Sequence, residues 1–298
     1  MIRLRRAALT AAFLAAALAR CRLEPPDPAS QAAAILHKHP SAFADQLASL
    51  DALASREVAE LEPGSLPPQL PLLAESLYAY ACRLKPAMAA AAAAPDPDSA
   101  RIAMLNAFVF DSLAIVPLDA DTTLAASVPS LALARRKGSC VALVLVYLAL
   151  GQALDLPLVP VFLPGHVCIR FRGHGRARYL ETLRRGIARS DSFYRETFSL
   201  SQRPWYSLAD AKPEQALAAL VFNLGNARLS HGDLATAAEE FRLAGEALPG
   251  FPEALGNQGV CLWLQGDKAG AKAKFLAALE GDSLSPPALR NLVLFSGR

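Results

Sequence analysis

The apolar pattern changes character several times along the chain. Residues 7–19 (AALTAAFLAAALA) form an uncharged, mainly apolar run directly behind Arg3, Arg5 and Arg6. Further on, Ile102, Leu105, Val109 and Ser112, with Phe108, fall on one face of a helix. Residues 141–150 (VALVLVYLAL) are apolar throughout, with Arg135, Arg136 and Lys137 before them and Gln152 and Asp155 after. A membrane-spanning helix needs about 20 apolar residues, so this run predicts a helix buried in a globular core, from about Cys140 to Leu154. After Asp155-Leu156-Pro157 come three short strand-like runs: Leu158–Leu163, His166–Phe171 and Arg178–Thr182.

Ahead of these elements, Pro63, Pro67, Pro68 and Pro71 cluster between helical stretches, and Ala89–Ala94 runs into Pro95-Asp96-Pro97-Asp98, a helix and then a loop. Residues 21–100 therefore read as a helical lead region that buttresses the middle of the chain.

The last third repeats itself. Asn223-Leu224-Gly225 recurs as Asn257-Gln258-Gly259 and in part as Asn291-Leu292, each 34 residues on. The same offset pairs Gly232-Asp233 with Gly266-Asp267, Ala237 with Ala271, Phe241 with Phe275 and Ala244 with Ala278. Small residues let two helices approach, phenylalanines fill the space between units, and Gly-Asp forms the turns. Residues 216–298 thus resemble tetratricopeptide repeats, two full units and a third cut short, departing from that family's usual first-helix aromatic at Arg228 and Leu262. About three units are normally needed for a stable stack, so these should lean on the preceding region or on another copy, with Trp263 and Phe251 as candidate docking residues. The resemblance implies a protein or peptide partner for the repeats.

Composition and charge narrow the function. The chain has 298 residues, 53% hydrophobic and 19% charged, which excludes a disordered, highly charged protein. Of its 30 basic residues, Arg3, Arg5, Arg6 and Arg20 lie in the first twenty; without them 26 basic residues face 27 acidic ones, and a general nucleic-acid-binding surface has no support. A basic start, a short apolar run and the small-x-small triplet Ala17-Leu18-Ala19 read as a secretory signal over residues 1–20, hence export to the periplasm or cell envelope. Leu18-Ala19-Arg20-Cys21 resembles a bacterial lipobox. Arg20 stands where that pattern takes a small residue and favours soluble release after Ala19 over lipid anchoring at Cys21, though both stay open.

The candidate chemistry lies in the middle. Gly138 and Ser139 lead into the apolar helix, with Ser139 as its expected N-cap and Cys140 in its first turn. Unpaired amides and the positive dipole end favour a thiolate there, and Arg135, Arg136 and Lys137 add charge. His166 opens the second strand and Glu181 lies in the third, so antiparallel neighbours would set imidazole beside carboxylate. A thiol nucleophile needs a base, and the base an acceptor that fixes its tautomer. Cys168, two residues past His166 and so on the same face, reads as a small core residue; a disulfide or shared metal site with Cys140 is the weaker alternative. His174, between two glycines, reads as a solvated loop residue.

This segment resembles the bacterial transglutaminase-like core family of the SirB type, in the papain-like superfamily. The matching residues are Gly138-x-Cys140 before an apolar helix, Leu163-Pro164-Gly165-His166-Val167 opening a strand, and Glu181-Thr182 with Gly186 shortly after. The resemblance implies an α+β core over residues 101–205 with a small antiparallel sheet, a Cys-His-acid triad carried onto Cys140, His166 and Glu181, acyl-transfer chemistry on an amide bond, no cofactor, and a frequent union with tetratricopeptide repeats. Many relatives have Asp where Glu181 stands. An amide side chain close upstream of Cys140 is also missing as an oxyanion donor, the nearest being Asn106. The competing expectation is a non-catalytic envelope adaptor that works through its repeats.

Overall fold

The structure, a computed structural model, describes residues 27–37, 43–119, 122–174 and 178–296. The signal-like run, Cys21 and its lipobox lie outside the described residues. The fold is α+β and mostly helical.

Four helices lead: α1 (Pro28–Leu36), α2 (Phe43–Leu61), α3 (Leu73–Ala91) and α4 (Pro97–Ala107). The proline cluster is the loop between α2 and α3. Asp96 caps α4 by accepting from the Ser99 amide at 3.0 Å, with Pro97 in the first turn, where its missing N–H costs nothing. The expected apolar face of α4 is buried at Ile102, Leu105, Phe108 and Val109, and the helix closes in a π turn over Phe108–Ser112.

A two-residue strand β1 (Val116–Pro117), helices α5 (Leu124–Ser127) and α6 (Pro129–Arg135) and strand β2 (Lys137–Gly138), parallel to β1, bring the chain to α7 (Cys140–Ala153). Every residue of α7 from Val141 to Gly151 is buried, as its unbroken apolar run predicts. Four antiparallel strands come next, in order: β3 (Leu158–Leu163), β4 (His166–Phe171), β5 (Arg178–Glu181) and β6 (Ile187–Arg189). The alternation of β4 sorts its side chains. Val167, Ile169 and Phe171 join the main core with α7, while Cys168 joins a second cluster with Val161, Tyr179 and Tyr194. Helix α8 (Asp191–Thr197) lies beyond the sheet.

The C-terminal third forms two helical hairpins, α9 (Leu217–Ser230) with α10 (Leu234–Ala247) and α11 (Pro252–Leu264) with α12 (Lys268–Gly281), and a last helix α13 (Pro286–Ser296). The 34-residue repetition has a steric cause. A Cβ on Gly225 would sit 2.7 Å from the ring of buried Phe241, and one on Gly259 would sit 2.6 Å from the ring of Phe275, so each glycine admits its unit's phenylalanine. Asp233 and Asp267 cap α10 and α12.

One hydrophobic core runs from Ala29 in the lead helices through α7 and the sheet to Ala254. The first hairpin therefore leans on the region before it. Phe251 docks there, its ring 5.3 Å from Phe222, 5.7 Å from Trp205 and 6.0 Å from Phe162. Trp263 does not: it packs edge-on against Phe295 at 4.8 Å, because its face of α11 looks toward α13. No described helix is long and apolar enough to cross a membrane.

Candidate active site

Cys140 owes its position to the close packing just before it. Gly138 pairs with Pro117, and a Cβ on it would lie 2.9 Å from the Ala132 methyl. The Ser139 amide donates to the Ala126 carbonyl at 2.8 Å, which fixes the entry to α7. Ser139 stands at the N-cap position but its hydroxyl does not cap; it sits 3.3 Å from the Ser127 hydroxyl instead. Cys140 is half-buried and lines a cleft of about 610 Å³.

His166 opens β4 directly after the Pro164-Gly165 turn, and Glu181 ends β5. In the register that pairs Ile169 with Leu180, Glu181 falls one step past the last paired position, diagonal to His166 on the same face. His166 Nε2 lies 3.0 Å from both carboxylate oxygens of Glu181. Glu181 also accepts from the Leu183 amide at 3.1 Å and the Tyr194 hydroxyl at 3.3 Å, and the imidazole lies parallel to the Phe198 ring, with 6.2 Å between centroids.

Burial works against an imidazolium here, but hydrogen bonds to Cys140 and Glu181, and the charges of both, outweigh it and hold His166 up at about 10. Cys140, His166 and Glu181 thus line one cleft, with the carboxylate in contact with the base.

Other expectations are placed differently. The triplet Arg135, Arg136 and Lys137 does not line the cleft; among the described residues the arginines that do are Arg184 and Arg189. Asn106 is engaged elsewhere, donating to the Gly186 carbonyl at 3.0 Å and accepting from the Tyr147 hydroxyl at 2.8 Å. Cys168 is fully buried and its thiol is pushed well above the ordinary range, chiefly by that burial. Cys82, Cys140, Cys168 and Cys261 are all free. His174 is 96% exposed, as its glycine neighbours suggest.

The sequence did not mark the far wall of the cleft. It comes from the C-terminal hairpins: Phe222, Asn223 and Asn226 of α9, with Phe251 and Glu253 at the start of α11. The recurrence of Asn223 as Asn257 was the one visible signal, and it reads equally well as repeat architecture.

A family model described as the transglutaminase-like superfamily matches residues 72–218, just under half the chain. The match runs from the start of α3 to the first turn of α9, and contains Cys140, His166, Glu181 and the whole sheet. No curated protein matches the chain. The core is transglutaminase-like, and superfamily and geometry together suggest thiol-dependent action on an amide.

Proposed function

We propose, taking a transglutaminase-like core as the premise, that this is an exported thiol enzyme that cleaves or transfers an amide bond with Cys140 as nucleophile, His166 as base and acid, and Glu181 as the carboxylate that orients the imidazole. The observation that carries this reading is the imidazole held at 3.0 Å from Glu181 in a cleft that Cys140 also lines. A carboxylate at that distance fixes the tautomer of the imidazole, and an imidazole so held can take a proton from a neighbouring thiol.

With Nε2 engaged by Glu181, Nδ1 is left for the sulfur. The thiolate attacks the amide carbonyl carbon, a C–S bond forms and the carbonyl π electrons move onto oxygen. The unpaired first-turn amide of Cys140 is one donor for that oxyanion. When the intermediate collapses, the C–N bond breaks and Nδ1–H protonates the departing amine, leaving a thioester. Water or an amine then attacks while the neutral imidazole takes its proton, and the C–S bond breaks to restore the thiolate.

In this reading the core is of the SirB type and the C-terminal hairpins are tetratricopeptide repeats that hold a peptide or protein substrate against the cleft. Export rests on the signal-like residues 1–20, with soluble release after Ala19 favoured over lipid anchoring at Cys21; mass spectrometry of the mature N-terminus tests it.

A second reading, a non-catalytic envelope adaptor acting through its repeats, draws on the engagement of Asn106 elsewhere, which keeps that side chain from serving as an oxyanion donor. Alkylation of Cys140 by iodoacetamide, measured by mass spectrometry across pH, separates the two. Enzyme chemistry predicts fast alkylation well below the ordinary thiol value of about 8.5, lost in His166→Ala. A rate that rises only near that value, or one unchanged in His166→Ala, favours the adaptor.

A further inference from the structure

The two groups proposed to react stand on segments that the C-terminal hairpins grip. His166 comes after a tight turn across which Leu163 pairs with it, with Pro164 first and Gly165 second at φ +65°. Proline and then a residue at positive φ is the pattern of a type II turn, whose own hydrogen bond does not use the second residue's amide. That amide donates instead to Glu253 Oε1 at 2.8 Å, from a residue 88 positions further along the chain in the first turn of α11. The other oxygen of Glu253 accepts from the hydroxyl of buried Tyr206, so the carboxylate is fixed at both ends.

A second link reaches the nucleophile independently. Asn223 Nδ2 of α9 donates to the Ser127 hydroxyl at 2.7 Å, and that hydroxyl lies 3.3 Å from Ser139, the neighbour of Cys140. Each half of the reacting pair therefore has, one residue before it, a polar contact leading to a different C-terminal helix.

We propose that Glu253 is a positioning residue that latches the Gly165 amide and so sets the His166 imidazole against Cys140, with Asn223 as the matching support on the nucleophile's side. A glycine turn is conformationally permissive, and without the latch the imidazole at its exit is free to drift from the sulfur. The C-terminal hairpins become part of the catalytic machinery, beyond any role in holding a partner. The inference rests on the reading of Cys140 and His166 as a reactive pair.

The test uses the full chain and iodoacetamide. Alkylation of Cys140 is measured by mass spectrometry from pH 5 to 9 in wild type, His166→Ala, Glu253→Ala, Glu253→Gln and Asn223→Ala, with folding checked by near-UV circular dichroism and melting. In Glu253→Ala the rate below pH 8 is expected to fall about tenfold in folded protein, and Glu253→Gln, which keeps an accepting oxygen, should recover to within about threefold of wild type. Asn223→Ala should slow the same limb. A merely structural Glu253 would lower the melting temperature and leave the pH profile of the folded protein alone.

A folded Glu253→Ala with the wild-type profile, or a Glu253→Gln no better than alanine, overturns the latch while the reactive pair stands. A wild-type profile indifferent to His166→Ala overturns the pair and the latch together. If Glu253→Ala does not fold, Tyr206→Phe frees one carboxyl oxygen and leaves the side chain in place: a drop of about threefold or more supports the latch, and an unchanged profile overturns it.

Discussion

Arg228 joins α9 to α2, and its replacement by Met is the sharpest test of how the C-terminal hairpins are held. Its side chain is 8% exposed and pairs with Glu57 of α2, itself 5% exposed, while Glu60 at 3.3 Å and Asp233 at 3.8 Å lie nearer solvent. Met keeps the apolar stem and removes the charge. Breaking a buried pair from one side typically costs about 3–5 kcal/mol. The structure also supplies a ceiling, because Glu57 can escape by taking a proton. From an unfolded value of 4.5 this costs about 4.8 kcal/mol at pH 8 but only about 1.4 kcal/mol at pH 5.5. Linkage gives the sign: a carboxyl raised in the folded state contributes stability that is whole below about pH 4.5 and is lost as pH rises through the raised value. The gap between variant and wild type should therefore widen from no more than about 1.4 kcal/mol at pH 5.5 to about 3 kcal/mol or more, and no more than about 4.8 kcal/mol, at pH 8 in urea unfolding. Adding Glu57→Gln should recover most of it. A penalty that is flat with pH, or a double variant no better than the single, refutes the pairing as the cause.

Packing around the same elements gives two further outcomes. Glu240 in α10 is fully buried, neither carboxylate oxygen has a hydrogen-bond partner, and burial, with the Glu57 charge second, holds it up at about 8. Its stabilising contribution is thus present below about 4.5 and lost as pH climbs through 8, so Glu240→Gln, if close to wild type near pH 5, should be more stable by about 4 kcal/mol at pH 9, as urea unfolding would read. Gly138→Ala forces a methyl to 2.9 Å from Ala132, which should cost about 1–3 kcal/mol, lower the melting temperature by several degrees and slow alkylation of Cys140; unchanged melting and alkylation would show that the approach has slack.

How much could be read from the sequence depends on where each constraint lies. Helix α7 was legible because burial on every side demands an unbroken apolar run, and β3 to β5 because alternate faces and a Pro-Gly turn leave local marks. The placement of Glu181 diagonal to His166 obeys that local hairpin logic. Strand β6, at three residues, is too short to show a period, and β1 and β2 are shorter still. The Ser139 cap failed because Ser127, twelve residues upstream, offers its hydroxyl another partner, a tertiary fact with no sequence signature. Glu253 and Asn223 were hidden for the same reason: each acts on a residue more than eighty positions away. Trp263 misled because an aromatic in a repeat helix announces burial but not which neighbour supplies it.

The first C-terminal hairpin is held by what precedes it. A helical hairpin needs a neighbour on each open face, and the first one here finds it in the lead helices: α1 packs on α10, and α2 packs on α9. This pair takes the place of a preceding unit without its sequence. The junction is chemically distinct, since Arg228 of α9 pairs with Glu57 of α2. On the inner side α9 also meets α5 and α7, the elements that deliver Ser127 and Cys140. A single helix is thereby shared by the stack, the core and the cleft wall. Displacing it for any one purpose must move the other two, which is the physical reason to treat the hairpins and the thiol site as one unit rather than as an enzyme with an appended binding module.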